Sequence, residues 1–423
     1  MAQPTLSTAA PKPPTSIDKT RLRWPIGFAI AAVFIVVFYG FILPNLVQDV
    51  EDWFQAWLPL GEINIALIWA MSALGLNIVV GYAGLLDLGY VAFWAIGGYV
   101  AAWLASDFGF GQKVNFNFLG NPLPSTIGGI HVNIVLVILA ACAVCALFGV
   151  IIGAPTLRLR SDYLALVTLG FGEIIPQIFK NGDPAGIGFN LSNATVGIAP
   201  LDPVPGIRIN RGEVAVGNMG AFDHIGRFII FALFTALIIF VSLRIRQGRL
   251  GRAWLAIRED ELAASAMGVP LMRAKLAAYA VGAVAGAISG VAYAIHLQQM
   301  RPDSFTFAVS ITLLAMVVLG GMGNVWGVLV GALVLSWFNS TGLSQIGNSV
   351  NNTFGTSIDF PSFNFLIFGG VLVLMMLFRR EGLLPESRTR LVLHEGATGD
   401  TLAEEPDDEL VEQADVIKSG EVK

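Results

Sequence analysis

The sequence predicts an all-α protein, a polytopic transmembrane helical bundle of about ten spans with both termini cytoplasmic. Three observations predict it. Of 423 residues, 55% are hydrophobic and only 13% charged, about half the charge of an ordinary soluble domain. Apolar runs of near-spanning length follow one another along the chain. Basic residues gather on alternate connections between those runs, as the positive-inside rule requires.

The runs are Ile26–Leu43, Ile63–Val80, Tyr90–Leu104, Val132–Gly153, Tyr163–Phe179, Ile225–Leu243, Ala274–His296, Phe307–Leu319, Val325–Phe338 and Phe363–Phe378. Several are short of the roughly 17–25 residues a perpendicular helix needs. The eighth and ninth are short enough for a re-entrant pair, which gives an eight-span alternative with the same termini inside. The first run follows Lys12, Lys19, Arg21 and Arg23 and resembles a signal peptide, but Pro44-Asn45-Leu46 succeeds it instead of a small-residue cleavage site, so it reads as a retained span. With the N-terminus inside, ten crossings place Arg158, Arg160, Arg244, Arg246, Arg249, Arg252, Arg258, Arg379, Arg380 and Arg388 in the cytoplasm. Lys113, Arg208, Arg211 and Arg301 are the exceptions on the outer side.

Three regions result: a disordered cytoplasmic segment over 1–24, a transmembrane domain over 25–380, and an acidic flexible cytoplasmic tail over 381–423. The tail carries Glu404, Glu405, Asp407, Asp408, Glu409, Glu412 and Asp415 and supplies much of the net charge of -5. Two outer segments, Ser106–His131 and Asn181–Asp223, are long and rich in Gly, Pro and Asn. They read as surface loops or as a face that meets an extracytoplasmic partner. Cys142 and Cys145 share a helix face but lie in an apolar run and read as small packing residues. The four histidines, His131, His224, His296 and His394, show no ligand spacing, and no metal site is expected.

The cytoplasmic segment 244–275 is the most informative. Gly248 and Gly251 make a turn, Ala253–Met267 predicts one short amphipathic helix with Arg258, Glu259, Asp260 and Glu261 in its middle, and Gly268 with Pro270 ends it. Such a helix either lies on lipid or docks a soluble partner, and four adjacent charges favour the partner. Two glycine-rich turns, Gly81-Tyr82-Ala83-Gly84 and Gly320-Gly321-Met322-Gly323, echo each other. Six spans apart, they read as recurring turn chemistry and not as a repeat.

Ionisable and broken-helix positions within spans are the candidates for a solute path. Glu173 follows Gly170-Phe171-Gly172 and precedes Pro176, and is expected to face the bundle interior. Asp87 lies in the Gly84–Gly89 turn, and Asn324 follows Gly321 and Gly323. Either these residues, with Gly81, Gly84, Gly89 and Gly172, present polar groups to a solute, or Glu173 and Asp87 cap and lock neighbouring helices.

Glu261-x-Ala263-Ala264-x-x-x-Gly268 resembles the cytoplasmic coupling loop of ABC importer permeases, with one inserted residue, Leu262. Four longer strings, LNIVVGYAGLLDLGYVAFWAIGGY (76–99), TLRLRSDYLALVTLGFGEI (156–174), GRAWLAIREDELAASAMGV (251–269) and MVVLGGMGNVWGVLVGA (316–332), resemble the LivM-type permeases of branched-chain amino-acid ABC transporters over roughly residues 60–340. The resemblance implies a multi-pass protein of the bacterial cytoplasmic membrane that is a transport subunit and not an enzyme. It implies a second, similar permease chain, two cytoplasmic ATPases and an extracytoplasmic binding protein. ATP would bind those ATPases, since this chain has no Gly-x-x-x-x-Gly-Lys-Ser/Thr loop and no cofactor is expected on it. Arg252, Arg258, Glu259, Asp260, Glu261, Ala263, Ala264 and Gly268 would couple it to an ATPase. Urea, amides or other amino acids remain alternative cargoes. An ion-coupled secondary transporter is the reading from another class, and it would need no docking helix.

Overall fold

A computed structural model of the chain describes residues 19–108, 113–116, 128–159, 161–185, 188–210, 213–220, 223–355, 357–379 and 382–384. The expected disordered segment up to residue 18 and the acidic tail from residue 385 lie outside the described residues, as do Arg160, Arg211 and Arg380. Lys19–Trp24, expected ahead of the membrane domain, already belongs to the first helix.

All ten expected runs are helical. The long helices are α1 (Lys19–Val37), α3 (Leu60–Asn77), α4 (Val91–Leu104), α5 (Ile134–Thr156), α6 (Ser161–Lys180), α7 (His224–Gln247), α10 (Leu271–Leu297), α11 (Phe307–Gly320), α12 (Val325–Trp337) and α14 (Asn364–Phe378). Shorter ones are α2 (Gln48–Trp57), α8 (Arg249–Glu259), α9 (Glu261–Ala266) and α13 (Leu343–Phe354). Among the described residues, seven helical segments are long and apolar enough to cross a membrane, and Val91–Leu104 and Phe360–Met375 are shorter apolar helices. The chain is a helical membrane protein. α6 is not among the seven: it is amphipathic, with Tyr163, Leu166, Glu173, Ile174 and Ile178 exposed on one side and Leu164, Thr168, Gly172 and Phe179 buried on the other.

The all-α expectation needs correcting at the loops. β1 (Ala105–Ser106), β2 (Lys113–Phe116) and β3 (Gly129–Val132) form a sheet in the order β1-β3-β2, with β1 antiparallel and β2 parallel to β3. β4 (Pro205–Asn210) and β5 (Glu213–Asn218) form an antiparallel hairpin with Gly206 opposite Gly217. Long loops leave backbone N–H and C=O groups that helices do not satisfy, and pairing the loop strands satisfies them. α2 is also new. Asp49 and Glu51 in its first turn favour the positive end of the helix dipole, and Trp53 lies half-exposed on it.

The core is built around α10, which packs against α3, α4 and α5. Its sequence alternates small residues, and several of its backbone contacts tolerate no side chain. A Cβ at Gly97 would lie 2.6 Å from the Ala287 Cα, one at Gly290 would lie 2.7 Å from the Gly98 nitrogen, and one at Gly75 would lie 2.7 Å from the Ala285 Cβ. Close backbone approach of this kind supplies the dispersion contact that holds membrane helices where lipid removes the hydrophobic drive. Polar groups add links: the Ser72 hydroxyl bonds the Ser289 hydroxyl at 2.7 Å, and the Tyr90 hydroxyl donates to the Gly282 carbonyl at 2.8 Å. α12 packs on α3 and α11, and α14 lies against α11.

A Gly97→Val substitution is therefore expected to lower the thermal midpoint of the purified chain clearly, at a cost of at least about 1–3 kcal/mol for overpacking. Gly370→Ala, where a Cβ meets nothing within 4 Å, should leave it unchanged. Heating detergent-solubilised protein and scoring the folded fraction by size exclusion compares the two.

Candidate functional site

The expected single helix over Ala253–Met267 is two helices. Asp260 adopts an extended conformation between α8 and α9, and its carboxylate accepts from the Leu262 nitrogen at 2.8 Å and the Ala263 nitrogen at 3.0 Å. An aspartate offers the backbone this alternative to helix continuation, which is why it caps helices and does not extend them. α9 ends as expected at Gly268. The Gly268 nitrogen donates to Ser265 and the Val269 nitrogen to Ala264, with Gly268 at φ +83°; this is a Schellman closure, and it needs the left-handed residue. A Cβ at Gly268 would meet nothing within 4 Å, so the demand there is conformational and not steric.

One face of α8 and α9 is sunk into the bundle and the other is free. Trp254 is fully buried and donates from Nε1 to the Ala274 carbonyl at 2.7 Å, fixing α8 to the start of α10. Ile257 and Ala264 are buried on the same side. Arg252, Glu259, Asp260, Glu261 and Ala263 are exposed, and Leu262 and Met267 are 81% and 85% exposed. Of the two expected contact alanines, Ala264 is thus used inside this chain and only Ala263 is open. The inserted Leu262 stands on the exposed face with Met267.

Two ionic contacts tie this segment to the core. Arg258 donates from Nη1 to the Gly81 carbonyl at 2.5 Å, and its stem runs under Gly84, where a Cβ would lie 3.0 Å from the Arg258 Cγ. Lys275, 8% exposed, holds the Glu261 carboxylate at 2.5 Å. Ala83, Gly84, Arg258, Glu261 and Lys275 border a cavity of about 200 Å³ there.

The two glycine-rich turns, which the sequence leaves unrelated, meet. The Asn77 side chain accepts from the Gly323 nitrogen at 2.8 Å, and a Cβ at Gly81 would lie 2.6 Å from that same nitrogen. Asn324 caps α12 through the Trp326 nitrogen at 3.1 Å and donates to the Leu384 carbonyl at 2.9 Å, while Gly321 approaches Gly382. Gly89 and Gly172 also touch; a Cβ at Gly172 would lie 2.9 Å from the Gly89 Cα. Arg258, the 81–89 turn, the 321–324 turn and α6 are therefore one continuous junction. Asn77 and Lys275 belong to it and were not singled out from the sequence. A buried amide or ammonium in an apolar stretch was the available signal.

Glu173 does not join the junction. The packing of Thr168 and Gly172 on the 88–89 backbone fixes the phase of α6 and turns Glu173 outward, away from the interior where it was expected. α6 also runs through Pro176 without a break. Asp87 is buried at the centre of the turn, with Oδ1 accepting from the Gly89 nitrogen at 2.8 Å and Oδ2 without a hydrogen-bond partner among the described residues. Burial pushes its carboxyl up to about 6, against the lowering effect of the Gly89 hydrogen bond. Because the folded value lies above the unfolded one, stability from this group is full below about pH 4 and is lost as pH rises through about 6. Asp87→Asn, which keeps the acceptor for Gly89, should flatten the stability of the solubilised chain between pH 4 and 7 and raise it at pH 7. An unaltered pH profile would mean that Asp87 titrates normally.

Comparison with known proteins places this geometry. The family model described as branched-chain amino acid transport system / permease component matches residues 59–376. The chain is 36% identical to the high-affinity branched-chain amino acid transport system permease protein LivM of Escherichia coli strain K12, over 80% of this chain and 73% of that one. It is 35% identical to the protein of the same description from Salmonella typhimurium, over 79% and 73%. It is 27% identical to a probable branched-chain amino acid transport permease protein LivM of Methanocaldococcus jannaschii, over 77% and 93%. No solved structure matches the chain. With its apolar helices it is a multi-pass protein of the bacterial inner membrane. The chain belongs to the branched-chain amino acid transport permease family.

Proposed function

We propose that this chain is one permease subunit of an ATP-driven importer that carries leucine, isoleucine and valine into the cytoplasm. The observation that carries the reading is 36% identity over 80% of the chain to a permease of that description. The exposed face of α8 and α9 agrees with it, since Leu262 and Met267 are 81% and 85% exposed on a segment that also exposes Arg252 and Glu259. Exposed apolar residues ringed by charge mark a surface that a soluble partner covers.

In the complete assembly, two ATPases bind ATP on the cytoplasmic side, and this chain itself holds neither nucleotide nor metal. A second, similar permease chain completes the path, and a binding protein delivers solute from outside. Ten crossings with both termini cytoplasmic place α8 and α9 inside and the β4–β5 hairpin outside. The path is bounded by the outward face of α6. A carboxylate such as Glu173 costs about 2.5–3.5 kcal/mol against lipid, and facing the second permease across a wet path removes that cost.

Closure of the ATPases then moves α8 and α9. The Arg258–Gly81 and Lys275–Glu261 contacts carry the motion to the 81–89 and 321–324 turns, where α3, α6 and α12 converge. Ligand binding at one end thereby biases two packings at the other. Urea or a short amide remains the second reading for the cargo, because the junction contacts do not depend on which solute passes.

The test is uptake of labelled leucine, isoleucine and valine, with urea and acetamide alongside, in a strain lacking this chain alone. Branched-chain uptake should vanish and return with the intact chain. Gly268→Val, which forces a β-branched residue into the left-handed region at about 1–2 kcal/mol, should restore little. Arg258→Ala removes a charge-assisted hydrogen bond of about 1.5–3 kcal/mol and should cut uptake about tenfold while ATP hydrolysis continues. Full coupled uptake by both variants would remove the coupling role; loss of urea uptake alone would reassign the cargo.

A further inference from the structure

The other end of α7 from α8 carries a feature the junction does not use. A half-open cavity of about 650 Å³ lies between the outer end of α1, α2, the start of α3, strand β4 and the start of α7. Its size falls within the roughly 300–1,000 Å³ of small-molecule sites. The wall is of two kinds. Leu43, Leu60 and Ile225 supply apolar surface, and Arg208, Glu51, Glu62 and Asp223 supply charge.

The charges are unbalanced in a specific way. Arg208 uses its Nε on Asp223 at 3.0 Å and is half-exposed, so the two terminal nitrogens of its guanidinium are not engaged by that contact. Glu51 accepts only from the neutral Gln55 amide at 2.8 Å, and among the described residues neither Glu51 nor Glu62 has a cationic partner. His224 on the same wall has its Nδ1 buried without a hydrogen-bond partner among the described residues. Two uncompensated carboxylates ask for an ammonium. A guanidinium edge offers two parallel donors to a carboxylate. Aliphatic surface in the same cavity suits a branched side chain.

We propose that this cavity is a binding site for a small zwitterion with an aliphatic side chain, a free branched-chain amino acid received on the outer side of the chain. The ammonium lies toward Glu51 and Glu62, the carboxylate meets the free edge of Arg208, and the side chain packs on Leu60 and Ile225. This rests on the importer reading for its cargo and adds a station that the reading does not require. A phosphatidylethanolamine headgroup presents the same pair of charges, so the source has to be decided by experiment.

The experiment uses the full chain in nanodiscs of phosphatidylcholine and phosphatidylglycerol, with labelled leucine as probe and leucinol, 4-methylpentanoate and glycerophosphoethanolamine as competitors. Saturable leucine binding is expected, with leucinol and 4-methylpentanoate each at least tenfold weaker because each lacks one charge. Arg208→Ala should abolish the preference for leucine over leucinol. Glu62→Gln should abolish the preference over 4-methylpentanoate. Glu51→Gln, on a helix whose residues are all partly exposed, gives the second carboxylate arm if Glu62→Gln impairs folding. Absence of saturable binding, leucinol binding as tightly as leucine, or glycerophosphoethanolamine outcompeting leucine would each overturn the assignment. Lost uptake in the strain without this chain, together with absent binding here, would remove the site and leave the importer reading. Binding here with normal uptake in that strain would do the reverse.

Discussion

Close approach of bare backbone is the constraint on which this structure depends. In lipid, apolar side chains gain little by leaving one apolar surface for another, so helices associate through dense contact and a few hydrogen bonds. α10 meets α4 at Gly97 and Gly290 and meets α3 at Gly75, distances at which any Cβ collides. Once those surfaces are seated, the rotation of each helix follows. Residues such as Ser72, Ser289 and Tyr90 then find their partners across the seam. The same principle recurs at Gly320 and Gly331, where a Cβ on the latter would lie 2.8 Å from the former's nitrogen.

Glycine seams that hold the bundle also let its two glycine-rich turns meet. The missing side chain at Gly81 lets it sit against the Gly323 nitrogen, and the Asn77 amide links the two chain segments there. Arg258 and Lys275 then attach the α8–α9 segment to this point by charged groups. Charged hydrogen bonds to a carbonyl or a carboxylate are stronger and more directional than apolar contact, so they hold the segment in a defined position on the bundle. The division of α8 from α9 at Asp260 serves the same end. It presents Leu262 and Ala263 outward while Trp254 and Ala264 stay anchored in the bundle.

The charges left over outline what the chain meets. Glu173 on α6 and Glu51 and Glu62 at the far end of α7 have no cationic partner among the described residues, while Arg208 beside the latter two is paired with Asp223. Ionisable groups beside a membrane core persist where a solute, water or another chain faces them. The outward face of α6, the exposed face of α8–α9 and the cavity beside α2 are three separate exposed surfaces of the chain.

The sequence alone determined where the ten long helices lie, because an apolar run near twenty residues has one stable form in lipid. It also determined the end of α9, because a Gly268-Val-Pro270 stop is local chemistry, and the family, because long ordered strings of residues carry it. Only the tertiary structure decided the rest. That Asp260 would break one helix into two depended on a cap competing with helix continuation. That Asn77 would reach Gly323, 246 residues away, depended on how α3 and α12 pack. Glu173 turned outward because Thr168 and Gly172, not Glu173, fit the 88–89 backbone, and a helix that turns 100° per residue allows one face to be buried and not the next. Local preference is written in neighbours along the chain; the phase and pairing of helices are settled by surfaces that meet only after folding.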